Sequence, residues 1–287
     1  MSDHPTPVRD RIAVGVDDSA SAWAAVALAA REAAVQHRPL RLVHAMHWTA
    51  DAPSTGAGDD RPDTQHLLEK ATRLVDDVAP DVEVSVEVSE STPTTALLRE
   101  SRMASLVVLG DGDLARWTCL PLDALAVEVA ARADCSVLVA RAPGGQRPDP
   151  GGPVLVGVDG SAGSERALGL AFDMAAQRGS ELTVVRAWES ELRWADTSAV
   201  AHAELTEAVA PWQEKHPEVT VRLQVVNGAP GRVLIDRSAD AGVVVVGARG
   251  DHPLRVPLGA VSQAVLHHAR CATVIVRECA PPPAVGD

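Results

Sequence analysis

Residues 247–262 read GARGDHPLRVPLGAVS, and this stretch holds the residue types best suited to chemistry. Gly247, Gly250 and Gly259 surround one loop, and Ala260, Val261 and Ser262 open the amphipathic segment that follows. Glycines let a backbone turn tightly and approach a ligand closely. A helix beginning at residue 260 presents unpaired N–H groups and the positive end of its dipole. Together these features hold an anion, phosphate above all. Ser262 adds a hydroxyl donor, and Arg249 and Arg255 are candidate charge partners. A simple strand-to-helix turn with Ser262 near its N-cap accounts for the same spacing, so the loop alone does not decide. The pattern G-x-x-x-x-G-K-[ST] is absent, and VLVGVDGS at 154–161 lacks G-x-G-x-x-G. Both absences argue against a P-loop NTPase and a dinucleotide dehydrogenase.

The elements that must position this loop are legible around it. Apolar runs rich in β-branched residues occur at 154–158, 182–188, 219–226, 243–247 and 272–277. They are mostly continuous rather than alternating, as in parallel strands buried on both faces. Between them, Ala167, Leu168, Ala171, Phe172 and Ala175 share one helical face, and Gly179 closes that helix. Further helices fall at 199–215, 231–238 and 260–268, with Pro211 expected to end or kink the first of these. The alternation β-α-β-α-β-α-β-α-β specifies a doubly wound fold, whose ligands sit beyond the carboxyl ends of the strands.

The same order appears earlier in the chain, with strands expected at 12–16, 40–44, 82–88, 106–110 and 136–140. Asp17 returns as Asp159, 142 residues later, Pro93 as Pro230 and Cys135 as Cys271. Landmarks kept in order with a slowly drifting offset mark a duplicated domain. The Pro- and Gly-rich stretch 143–153 reads as the linker, between an N-terminal domain at 1–142 and a C-terminal domain at 154–287.

With the motif, the strands and the repeat in place, the chain resembles the universal stress protein family, in its tandem two-domain, actinobacterial-like form. GARGDHPLRVPLGAVS is similar to the family's G-x2-G-x9-G-[ST] nucleotide motif, and VLVGVDGS, VVRAW and NGAPGRVLIDRSADAGVVVVG match the strands leading to it. The resemblance implies two tandem five-stranded parallel sheets, Rossmann-like and of the adenine nucleotide alpha hydrolase-like kind. It implies ATP, alone or with Mg, in the C-terminal domain. Gly157 and Asp159 fall near the ribose, Val185 and its neighbours at adenine, and Gly247, Gly250, Gly259, Ala260, Val261 and Ser262 at the phosphates, with Arg249 beside them. It also implies pairing of the two domains through their last strands, within one chain or in a homodimer.

Two departures mark the C-terminal motif: eight residues, not nine, precede Gly259, and position 260 is Ala rather than a hydroxyl residue. The N-terminal copy keeps the spacing and loses the chemistry. Asp113 and Asp123 replace the second and third glycines, and positions 124 and 126 are Ala and Ala rather than Ser or Thr. Carboxylates repel a triphosphate, so this half is expected to bind no ATP and to act structurally.

Bulk properties narrow the partners. A net charge of −13, with one Phe and no Tyr, argues against nucleic acid. No run of about 18 apolar residues is present, and the polar start of the chain is not a secretory signal, so no membrane contact and a cytoplasmic location are expected. Neither the histidines nor Cys119, Cys135, Cys271 and Cys279 stand at metal-ligand spacing. No G-x-S-x-G elbow occurs, and no residue is assigned a catalytic role. The readings that stand are a nucleotide-dependent regulatory or signalling module in stress response, a scaffold that binds no nucleotide, and a slow ATPase.

Overall fold

The computed structural model describes residues 9–46, 61–112, 125–141, 149, 151–188, 194–250 and 258–278. The first half comprises β1 (Arg11–Gly15), α1 (Ala20–Gln36), β2 (Leu40–Ala45), α2 (Arg61–Val78), β3 (Val84–Ser89), α3 (Pro93–Ser101), β4 (Ala104–Gly110), α4 (Leu125–Arg132) and β5 (Ser136–Ala140). The second repeats it as β6 (Val154–Gly157), α5 (Ala162–Arg178), β7 (Leu182–Trp188), α6 (Trp194–Lys215), β8 (Val221–Asn227), α7 (Pro230–Arg237), β9 (Val243–Gly247), α8 (Ala260–His268) and β10 (Ala272–Val276). The doubly wound α/β class read from the sequence is the observed one.

The strands form one sheet in the order β3-β2-β1-β4-β5-β10-β9-β6-β7-β8. Neighbours within each half are parallel, while β5 and β10 run antiparallel with Leu138 opposite Val274. Successive strand residues face opposite sides of the sheet. Val154, Val156, Val243 and Val245 accordingly join the core beneath α1, α2, α5 and α6. Leu155, Val244 and Val246 join the core beneath α3, α4, α7 and α8. Covered on both faces, the strands have no polar side to alternate with, which is why their apolar runs are continuous.

Local signals explain most helix ends. Ser161 is the N-cap of α5 and accepts from Ser164 N–H, and Gly179 closes the helix in a left-handed conformation at φ 60°. Pro211 does not end α6, which runs on to Lys215. Tertiary packing overrides it: Val209 is fully buried, and the Trp212 ring stacks on Phe172 with centroids 6.2 Å apart. Among the described residues no helix is long and apolar enough to cross a membrane. Cys135 and Cys271 are buried in the core, and burial pushes the pKa of the Cys271 thiol up to about 12. Cys119 and Cys279 lie outside the described residues.

Polar side chains tie the halves together beyond the β5–β10 ladder. Arg178 on α5 pairs with Glu32 on α1, and both side chains are buried. Arg141, just past β5, donates to the last-turn carbonyls of α8, Val265 and Leu266, at 3.2 and 2.7 Å. Arg277, just past β10, donates to the carbonyls of Ala130 and Ala131 in α4 at 3.0 and 2.6 Å. Leu266, Ala130 and Ala131 have no helical amide of their own to accept from, so each half satisfies orphaned carbonyls of the other, while Val265 also accepts from Ala269 N–H.

Removing one partner of a buried ion pair leaves an uncompensated charge. Arg178→Ala is therefore expected to lower unfolding stability by about 3–5 kcal/mol in denaturant melts. The Glu32→Met, Arg178→Met double variant is expected to recover most of that loss. Near the same joint, His267 is buried, and its pKa is lowered by that burial, then by His268 and Arg141. The unfolded chain therefore binds a proton that the folded chain resists, so this contribution is full above an ordinary His value near 6.5 and is lost as pH falls through it. The thermal midpoint of the parent is expected to drop more steeply below about pH 6.5 than that of His267→Gln.

Candidate functional site

In the second half the strand order reverses between β6 and β9, and a crevice opens at their carboxyl ends. Ligands of doubly wound sheets occupy this position. The crevice is a cavity of about 510 Å³, within the range of about 300–1,000 Å³ usual for small-molecule sites. All ten residues singled out from the sequence line it.

Its floor is made by Gly157 at the end of β6 and Gly247 at the end of β9. A Cβ at Gly247 would stand 2.8 Å from the backbone carbon and oxygen of Gly163, so glycine is required where β9 meets the start of α5. The N-terminal half repeats this approach, with Gly110 against Ser21.

Asp159 lies on one wall. Its Oδ1 accepts from Ser161 N–H at 2.9 Å, forming a turn that leads into α5. Partial burial raises its carboxyl pKa, but hydrogen bonds with the Ser161 side chain and backbone and the Ser164 side chain outweigh it and hold the group below its ordinary value. Asp159 is therefore an ionised acceptor at neutral pH, suited to hydroxyl donors such as a ribose diol. Its other oxygen faces the glycine loop, where a Cβ on Gly250 would approach within 2.6 Å of Oδ2.

The opposite wall is the first turn of α8. Gly259 is the N-cap and supplies no side-chain cap. Its own N–H donates to the Ala248 carbonyl at 2.9 Å, and the Gln263 N–H donates to the Gly259 carbonyl at 2.9 Å. Between them, the N–H groups of Ala260, Val261 and Ser262 have no partner among the described residues. Arg249 lies exposed on the same loop, and no carboxylate among the described residues pairs with it. Three free amides at a helix start with a cation beside them suit an anionic group.

Two expectations are refined by the geometry. The Ser262 hydroxyl donates to the Gly247 carbonyl at 2.7 Å, and Ser262 is buried. Its single proton is committed to tying α8 to β9, so it contributes an amide to the loop and no free hydroxyl. Val185 is also buried, and its carbonyl accepts from Val158 N–H at 3.0 Å, the last bond between β6 and β7. Beyond it, β7 outruns β6, and strand alternation turns the N–H and C=O of Ala187 toward the vacated side. Ala187 thus offers a donor–acceptor edge to a heterocycle. Pro230 and Leu234 supply an apolar surface beside it.

Sequence reasoning missed Ala187, Pro230, Leu234 and Ser161 as site residues. The signal for Pro230 was present, since it recurs with Pro93 at the repeat offset. Arg255, Asp113 and Asp123 lie outside the described residues. Among the described residues no cluster of three or more His, Cys, Asp or Glu side chains is placed to hold a metal ion.

Comparison with known proteins follows the same outline. The universal stress protein family model matches residues 9–141 and again 152–277. The chain is 38% identical over 290 residues to the Mycobacterium tuberculosis universal stress protein Rv2005c, covering 93% of this chain and 97% of the relative. It is 34% identical over 287 residues to Rv2623 of the same organism, covering 93% and 96%. Among solved structures, a universal stress protein from Archaeoglobus fulgidus superposes with a TM-score of 0.72 at 15% identity, covering 94% of this chain and 96% of the other, a likeness of fold. Matched twice by one family model and end to end by its members, the chain belongs to the universal stress protein family.

Proposed function

We propose that the C-terminal cleft binds ATP and that the protein works as a nucleotide-dependent regulatory module rather than as an enzyme. The observation that carries this reading is the unpartnered amide trio of Ala260, Val261 and Ser262 beside Arg249, facing Asp159 across one crevice. The ionised Asp159 accepts the ribose hydroxyls, the edge of Ala187 takes the base, and the amides take the phosphates. A carboxylate held below its ordinary pKa is a poor general base, which favours binding over turnover. The β5–β10 ladder and the exchanged arginines support an internal dimer as the working unit.

Gly259 gives a test with two opposite signs. It sits at φ −70°, and a Cβ there would meet neighbours only at 3.7 Å, so a side chain fits. Aspartate is a strong N-cap. Gly259→Asp is therefore expected to raise folding stability by about a few tenths of a kcal/mol. The same variant is expected to weaken ATP binding roughly tenfold or more, because its carboxylate occupies the amides. Calorimetric titration beside a thermal melt reads both, and unchanged ATP affinity in a folded variant would remove the loop from the site. Ala260→Ser supplies the hydroxyl that the motif lacks, and ATP is expected to bind it roughly ten- to a hundredfold more tightly.

A further inference from the structure

β3 is one end of the ten-stranded sheet and β8 is the other. Beside β2, the carbonyls of Glu83 and Ser89 accept from Leu40 and Met46 N–H, so residues 83, 85, 87 and 89 turn their backbone inward. Val84, Val86 and Val88 therefore aim their N–H and C=O groups off the edge, where no strand among the described residues pairs with them. Their side chains share the α2 side of the sheet. Val86 and Val88 are 44% and 43% exposed, and with Met46, Leu68 and Thr72 they line an apolar groove of about 680 Å³ beside α2. The fold does not require this exposure. At the repeat offset, Leu223 and Val225 of β8 hold the places of Val86 and Val88, and both pack against the core.

An open apolar edge is a template for another strand, and charge selects which strand fits. A second copy running antiparallel must set outward-facing residues opposite outward-facing residues. Centred on Ser85, the pairing puts Glu83 against Glu87 of the other copy. Centred on Glu87, it puts that residue against itself. Centred on Val86, it sets Glu87 against Ser85 and Glu83 against Ser89, so no carboxylate meets another. In that register Val86 meets itself and Val84 meets Val88, which gathers the valines of both copies on one face. The surroundings are neutral too. Glu87 pairs with Arg41 and Arg99 at 2.7 and 2.6 Å, and Glu69 pairs with Arg73 at 3.3 Å on the groove rim. In a chain of net charge −13, this is a place where two copies meet without repulsion.

We propose that β3 is a homodimer interface, at which two copies of the chain pair antiparallel about Val86 and seat each other's valines beside α2. The sheet then runs on from one copy into the next. This contact differs from pairing through the last strands, since β5 and β10 are already paired with each other. It is isologous and closes at two chains. It shares no residue with the C-terminal cleft.

Analytical ultracentrifugation of the full-length protein over a concentration series is expected to show a species of twice the 30.0 kDa chain mass. Val86→Lys sets two cations face to face and is expected to weaken association about tenfold or more. Val86 is exposed, so the variant is expected to keep the parent's circular dichroism spectrum. Register is read separately by cross-linking. Cα atoms opposite each other in a hydrogen-bonded pair stand about 5.5 Å apart, within the range of about 4.4–6.8 Å that a disulfide spans. Under mild oxidation Val86→Cys is expected to link two chains about tenfold or more faster than Val88→Cys, whose partner is Val84. A parent that sediments only as single chains, or a dimer that Val86→Lys leaves intact, would overturn the interface. Equal cross-linking by the two cysteine variants would overturn the pairing about Val86.

Discussion

The backbone at the end of β9 lies so close to the start of α5 that no β-carbon fits between them, and the cleft follows from that contact. It sets the start of α5, with its Asp159 turn, against the loop that leads into α8. Ser262 reinforces the arrangement by bonding the Gly247 carbonyl, so α8 hangs from the very strand that ends in the cleft. The amides of α8 are left uncapped because its N-cap is a glycine and the one nearby hydroxyl is already used. A helix start without an internal partner keeps its field available to a ligand. In the proposed binding mode, affinity comes from groups the fold has declined to satisfy.

The fold and much of the cleft were legible in the sequence for identifiable reasons. Strands buried on two faces write continuous β-branched runs, and Ser161 and Gly179 write the two ends of α5. Gly247 is fixed by sterics at the cleft, against the Gly163 backbone, so its place in the motif carries information that survives without coordinates. Pro211 misled because the stacking of Trp212 on Phe172 is a tertiary contact that local propensity does not see. Ser262 misled because a hydroxyl looks the same in sequence whether it faces a ligand or a carbonyl. Ala187 was passed over because its role rests on β7 outlasting β6, a property of strand lengths compared across the sheet. An alanine has no side-chain chemistry to announce such a position.

The joint between the halves has its own logic. Antiparallel pairing of β5 with β10 joins two parallel sheets edge to edge and removes two strand edges that would otherwise invite foreign partners. The arginines that follow these strands reach across in both directions, 136 residues apart in sequence and equivalent in role. Approximate twofold symmetry is thus built into the backbone ladder and into the side chains that brace it.

Covalent fusion changes what that symmetry permits. In a dimer of identical chains, any residue introduced on one side appears on the other as well. Asp111 could not arise beside Arg141 there without a second carboxylate arising beside the other arginine. In a single chain the reciprocal position is free to remain Ala248, and it has done so. One polypeptide can therefore keep a shared frame while the residues of its two halves diverge, a freedom that covalent fusion grants and self-association withholds.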